Sequence, residues 1–161
     1  EFKKQINNIF CEITTYDFFL YNLKFVDLKD EKQIFCDFCN EKCNFLSTKY
    51  LAYCPEILIL VINRKNENNI KINIIEYINL AQFIEYKTTG YLFKLIGVVS
   101  SFENEKNKKD IIAYCRDPIS NDWYRYNDNE ISACDFKNEI SNVSKPYLLF
   151  YQKIKSNELS K

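Results

Sequence analysis

The chain has 161 residues, 22 Lys and Arg against 22 Asp and Glu, and apolar side chains at 47% of positions. Zero net charge removes the electrostatic footprint of a nucleic-acid or anionic-membrane binder, and no apolar run approaches the ~20 residues of a membrane helix, so neither partner is expected. Histidine is absent, which excludes imidazole catalysis from within this stretch, and methionine is absent too, which predicts that the chain is a piece of a longer protein.

The length suits one domain or a large part of one. The first residues carry no secretory apolar region. The seven cysteines are an odd number. Both features favour reduced thiols in the cytoplasm or nucleus over a disulfide framework.

With two glycines and three prolines, element boundaries are read from polarity and period. The region to about Lys49 mixes an aromatic run, Tyr16 to Phe25, with a cysteine cluster. After Pro55, the run Ile57-Leu58-Ile59-Leu60-Val61-Ile62 is continuously apolar and rich in β-branched residues, which predicts a strand buried on both faces. Residues 66–69 read as a turn. Ile70, Ile72 and Ile74 alternate with polar residues, as in a half-buried strand. Leu80, Phe83 and Ile84 have the spacing of one or two helical turns.

Tyr91 to Val99 is a strand, and Ser100 to Lys109 reads as a loop in which Lys106, Lys108 and Lys109 are solvated charge. Ile111 to Cys115, a turn at Pro118 to Asp122, and Trp123 to Tyr126 predict a hairpin. A short strand follows at Ile131 to Cys134, and the last strand at Pro146 to Tyr151. A polar tail begins at Ser156. The whole reads as mostly antiparallel β with minor helix.

Cys36-Asp37-Phe38-Cys39 is a CxxC knuckle, a turn that brings two thiolates to one zinc at ~2.3 Å. A structural site needs four ligands. Cys11 is the upstream candidate, with Thr14 where its partner cysteine would fall, and Cys43 is a replacement ligand. The alternative is a finger that has lost its metal and keeps its thiols reduced. Cys54, Cys115 and Cys134 lie in or beside apolar strands and read as small core residues.

Five pieces in order resemble the C-terminal half of the catalytic domain of the ubiquitin-specific proteases. They are Pro55 to Leu60 followed by Arg64-Lys65, Phe93 to Ser100, Ile111 to Arg116, Trp123 to Asp128, and Pro146 to Tyr151. The resemblance runs from about Cys36 to Gln152. It implies an α+β, papain-like fold, with residues 1–54 a degraded finger region, 55–155 the palm and 156–161 a tail. The implied chemistry is thiol-dependent cleavage after the C-terminal glycine of ubiquitin. A Cys nucleophile attacks, a His acts as base, and an Asp or Asn orients that His. On this resemblance the nucleophile lies upstream of the chain.

The orienting position falls on Asn127, with Asp128 beside it, although both also read as plain turn residues. Where the family keeps its base, in a Gly-His-aromatic triplet, this chain has Lys109-Asp110-Ile111. A carboxyl ordinarily titrates near 3.9 and an imidazole near 6.5, so Asp at this position cannot cycle between neutral base and cationic acid. Beside a thiol it disfavours the thiolate. The expected function is a catalytically impaired domain that binds ubiquitin, a ubiquitinated protein or a larger complex. An active deubiquitinase with a base from elsewhere is the first alternative, and an architectural module without ubiquitin binding is the second. Trp123, Tyr124 and Tyr126 are expected to pack the hairpin, and Arg116 to form a structural ion pair.

Overall fold

The computed structural model describes residues 13–23, 26–28, 34–43, 45–47, 49–62, 71–85, 91–103, 109–141 and 145–155. The chain opens with β1 (Ile13–Thr14), which leads directly into the helix α1 (Thr15–Leu23). A capping box starts this helix. The Thr14 amide donates to Asp17 Oδ2 at 2.8 Å, and the Asp17 amide donates back to Thr14 Oγ1 at 3.3 Å. The aromatic run from Tyr16 is thus helical. Phe19 and Tyr16 turn inward onto Phe83, with ring centroids at 5.8 and 5.5 Å.

Two short hairpin ladders follow. β2 (Val26–Leu28) pairs with β5 (Phe45–Ser47), and β3 (Ile34–Cys36) pairs with β4 (Glu41–Cys43). Both lie outside the main sheet.

The main sheet has seven strands: β6 (Ile57–Val61), β8 (Tyr77–Asn79), β9 (Leu92–Glu103), β10 (Lys109–Arg116), β11 (Trp123–Asn127), β12 (Glu130–Cys134) and β13 (Pro146–Lys153). Its order is β12-β11-β10-β9-β13-β6, with β8 beside the start of β9, and every pairing is antiparallel. β1 and β7 (Ile72–Asn73) run parallel in a separate pair, and Leu51 and Ile84 form an isolated parallel bridge. The expected antiparallel segment with minor helix is present. No helix among the described residues is long and apolar enough to cross a membrane.

The core cluster joins Val98, Leu95, Ile78, Leu149, Tyr151, Ile112, Tyr114 and Trp123 of the sheet to Phe19, Ile72, Ile74, Leu80, Phe83 and Ile140 from outside it. Leu80 and Phe83 belong to a single 3-10 turn at Ala81–Phe83, the short helical element their spacing predicts. Tyr151 ties the layers together. Its hydroxyl donates to the Ile75 carbonyl at 2.7 Å and lies 3.3 Å from Thr15 Oγ1, which also accepts from the Ile75 amide at 3.3 Å. A buried hydroxyl needs such partners, and here they fix the start of α1 against the last strand. Burial keeps the Tyr151 hydroxyl protonated, its pKa raised well above the ordinary tyrosine value.

Three expectations are corrected. β6 is not buried on both faces. Leu58 and Leu60 point into the core, but Ile59 is 53% exposed and Val61 70%. The strand sits at the sheet edge, and among the described residues no layer covers its outer face. The loop expected at Ser100–Lys109 is shorter, because β9 runs on to Glu103 and β10 begins at Lys109, with Ser100 opposite Ile112 and Glu103 opposite Lys109. Backbone pairing carries the ladder through polar residues that lack an apolar period. Cys115, expected in the core, is exposed, because alternation sends it to the outer face beside Ile111. Ile70, the turn at 66–69, Arg64-Lys65, Lys106, Lys108 and the tail from Ser156 fall outside the described residues.

Candidate functional site

The predicted hairpin is present. β10 and β11 pair from Ala113↔Tyr126 to Arg116↔Trp123. One further step along the same register sets Asn127 across from Ile112. Alternation puts Asp110, Ile112 and Tyr114 on one face of β10. Asp110 and Asn127 thus share a face at the same end of the hairpin, as diagonal neighbours roughly 7–8 Å apart. Ile112, Tyr114 and Trp123 on that face are buried beneath them. Asp110 and Asn127 are both half-buried. Asp128 starts the two-residue turn into β12, with φ at 50°, and is exposed. Asn and Asp tolerate this left-handed conformation better than most residues, so turn geometry accounts for Asp128 at this position.

The other end of the hairpin is built for rigidity. Arg116 Nη1 meets Glu76 Oε1 at 2.6 Å, and its Nε donates to the Asn121 carbonyl at 3.2 Å. Its guanidinium carbon sits 5.8 Å from the Trp123 ring centroid, and Phe136 packs on the same indole at 6.0 Å. Arg116 is the structural ion pair expected of it. Asp117 closes the turn by accepting from the Ile119 and Ser120 amides at 2.8 and 2.7 Å, bonds that hold its carboxyl below the usual range.

The cysteine knuckle occupies the β3–β4 hairpin. Asn40, at φ 54°, turns the chain, and its amide donates to the Cys36 carbonyl at 2.8 Å. The three sulfurs of Cys36, Cys39 and Cys43 all lie within 4.8 Å of one another, and Cys39 and Cys43 Sγ are 3.3 Å apart. The backbone amides of Cys39 and Phe38 aim at the Cys36 sulfur and hold its thiol below the ordinary value, whereas hydrogen bonding from Cys39 pushes Cys43 up. This donor set fits a thiophilic ion such as zinc, and it could hold one.

Cys11 lies outside the described residues. Thr14, beside it in the expected ligand scheme, is occupied in capping α1. Cys54 and Cys134 are half-buried against the core, and burial pushes both thiols up, Cys134 to about 11. The Tyr151–Thr15–Ile75 network was not legible in the sequence, because no local pattern links residues so far apart. Metal analysis of purified protein is expected to give near one zinc equivalent, falling at least about tenfold in affinity on Cys36→Ser. Zinc near zero in the parent chain would retire the site.

A profile of the family described as ubiquitin carboxyl-terminal hydrolase matches residues 20–151. The match thus begins inside α1, upstream of the knuckle. Ubiquitin carboxyl-terminal hydrolase 48 of Rattus norvegicus is 27% identical over 124 residues, which is 71% of this chain and 12% of that protein. Ubiquitin carboxyl-terminal hydrolase 2 of Bos taurus is 26% identical over 131 residues, 76% of this chain and 21% of the relative. Among solved structures, a chain of the SAGA DUB module bound to monoubiquitin superposes with a TM-score of 0.70 at 23% identity, covering 89% of this chain and 33% of that one. The Ubp8/Sgf11/Sus1/Sgf73 DUB module bound to ubiquitin aldehyde gives 0.66 at 22%, covering 89% and 34%. The chain therefore spans between 12% and 34% of the length of these relatives, and the solved ones share its fold. By a match that runs from within α1, across the knuckle and into β13, the chain belongs to the ubiquitin carboxyl-terminal hydrolase family.

Proposed function

We propose that this chain is the palm and part of the fingers of a ubiquitin-specific-protease-like domain that binds ubiquitin or ubiquitinated protein and hydrolyses it poorly. Residues 1–54 are the finger region of this reading and 55–155 the palm. The absence of histidine from these 161 residues carries it: on the resemblance, the position of the family's base falls on Asp110. The hairpin register supports it. Alternation sets Asp110 on the same face as Asn127, the position that would orient a base, and Ile112, Tyr114 and Trp123 on that face are buried. The carboxylate of Asp110 is an acceptor with no imidazolium form, so it supplies no proton to a leaving amine and no cation beside a thiolate.

Ubiquitin is the proposed partner, within a larger assembly in the nucleus or cytoplasm. Two of the similar solved structures are DUB modules bound to monoubiquitin or ubiquitin aldehyde, and each combines several subunits. The knuckle is read as one structural zinc site.

A second reading, an active hydrolase whose base comes from outside these residues, is favoured by the hydrolase names of its relatives. The test uses full-length protein with a ubiquitin carrying an electrophilic C-terminus, alongside a titration with labelled ubiquitin. Saturable binding without covalent capture is the expected outcome. Rapid capture by a cysteine upstream of Glu1 sinks the impaired reading. No saturable shift at high micromolar ubiquitin leaves an architectural role instead.

A further inference from the structure

The Cys36, Cys39 and Cys43 cluster has a second chemistry that does not depend on a metal. Cys39 is exposed and Cys36 and Cys43 are half-exposed, on a small hairpin outside the main sheet. Phe38, between the first two, is 99% exposed, so solutes reach the turn freely. Cys39 and Cys43 Sγ are already 3.3 Å apart, with Cys36 Sγ within 4.8 Å of both. A disulfide needs its sulfurs at 2.03–2.05 Å, so closing the bond takes a movement of little more than an ångström at side chains of an exposed turn. The remaining described cysteines lack this arrangement. Cys54 and Cys134 pack against the core, and Cys115 is exposed on the outer sheet face, outside the cluster that brings the three thiols together.

We propose that Cys39 and Cys43 form a reversible oxidation site for hydroperoxides, with Cys36 as the adjacent exchanging thiol. In the first step one thiol of the pair attacks the peroxide O–O bond. A sulfenic acid forms and the distal oxygen leaves as water from hydrogen peroxide, or as an alcohol from an organic hydroperoxide. In the second step the neighbouring thiol attacks that sulfur, the S–S bond forms, and the sulfenic oxygen leaves as water. Two thiols give up two electrons and the peroxide takes them, so the step balances with no further reactant. Cys36 can then displace one sulfur of the new bond by thiol–disulfide exchange, which moves the bond within the cluster. The consequence is confined to the finger. The oxidised pair can no longer ligate a thiophilic ion, while the main sheet and its core are untouched.

The test treats full-length protein with one equivalent of hydrogen peroxide, followed by alkylation of remaining thiols and peptide mass mapping. The expected product is a disulfide within the 36–43 segment, formed at least about tenfold faster than oxidation of Cys115 and reversed by dithiothreitol. In the Cys36→Ser/Cys43→Ser double variant, which leaves no partner thiol in the cluster, the same treatment should leave a sulfenic acid trapped by dimedone at Cys39. Knuckle thiols that stay alkylatable, or that oxidise no faster than Cys115, overturn the proposal. Because the readout on the parent chain is the covalent map, it stands whether or not the variant folds. It is also separable from ubiquitin binding.

Discussion

Replacing Phe93 with alanine is expected to destabilise the fold by about 3–5 kcal/mol, the usual range for deleting a fully buried aromatic ring. Phe93 is 0% exposed and sits on β9, the strand that carries β8 and β10 on one edge and β13 on the other. Across from it are Ile78 on β8 and Lys153 on β13. Truncation opens a cavity where two ladders meet, and the surrounding strands cannot collapse into it without breaking register. Against a typical total of about 5–15 kcal/mol, a loss of that size leaves a marginal fold.

Urea unfolding followed by the single tryptophan, Trp123, reads this directly, since that indole is buried in the same core. Ile111→Ala, at a residue 58% exposed on the outer face, is the control. It should cost no more than about 0.5 kcal/mol. Equal losses for the two variants would mean that the core does not lie on the face assigned to it.

The second large effect is a gain. Asp110→His in the full-length protein is expected to raise hydrolysis of a C-terminal ubiquitin amide by about 10²-fold or more, the contribution usual for a positioned general base. Ubiquitin affinity should stay within about twofold, because the change touches one side chain at the strand end. An imidazole is longer than a carboxylate and can span the diagonal to Asn127, whose amide oxygen accepts from its ring N–H. A readout independent of any nucleophile comes from NMR titration of the new imidazole. Its titration should shift when Asn127 is also changed to alanine. An unchanged titration would break the pairing of these two positions, and a parent protein that already matches the variant's rate would remove Asp110 from the base position.

The parts of this fold that were legible were those with local signatures. The hairpin from Ile111 to Tyr126 announced itself by two apolar and aromatic runs around a Pro- and Asn-containing turn, and the structure pairs it antiparallel from Ala113↔Tyr126 to Arg116↔Trp123. The 3-10 turn at Leu80 and Phe83 was legible from spacing. The family resemblance proposes Asp110 and Asn127 as the base and orienting positions, and strand alternation sets them on one face.

What failed did so for physical reasons. The run from Ile57 to Ile62 is apolar on both sides, which signals two apolar faces, but coverage depends on what packs there. The extension of β9 through Ser100 and Ser101 has no hydrophobic period, because its hydrogen bonds are backbone to backbone. The helix at Thr15 was hidden by aromatic and β-branched residues of weak helix propensity, and tertiary contacts with Phe83 and the Thr14–Asp17 cap override that preference. Cys36, Cys39 and Cys43 converge as their short spacing suggests, and the spacing could not give the 3.3 Å approach of the last two sulfurs.

The hydroxyl of Tyr151 meets Thr15 across 136 residues of chain. On the ribosome, that separation becomes a waiting time. α1 and the apolar run of β6 emerge early, but the strand that pairs with β6 and anchors the helix is β13, the last of the sheet to appear. Until it does, Leu60 has no Leu149 opposite it and the helix has no hydroxyl to close on. Contacts this distant in sequence slow folding and leave sticky intermediates. Chaperone dependence during synthesis is therefore exposed to a mutation in the final strand, alongside the stability its buried Leu149 and Tyr151 supply.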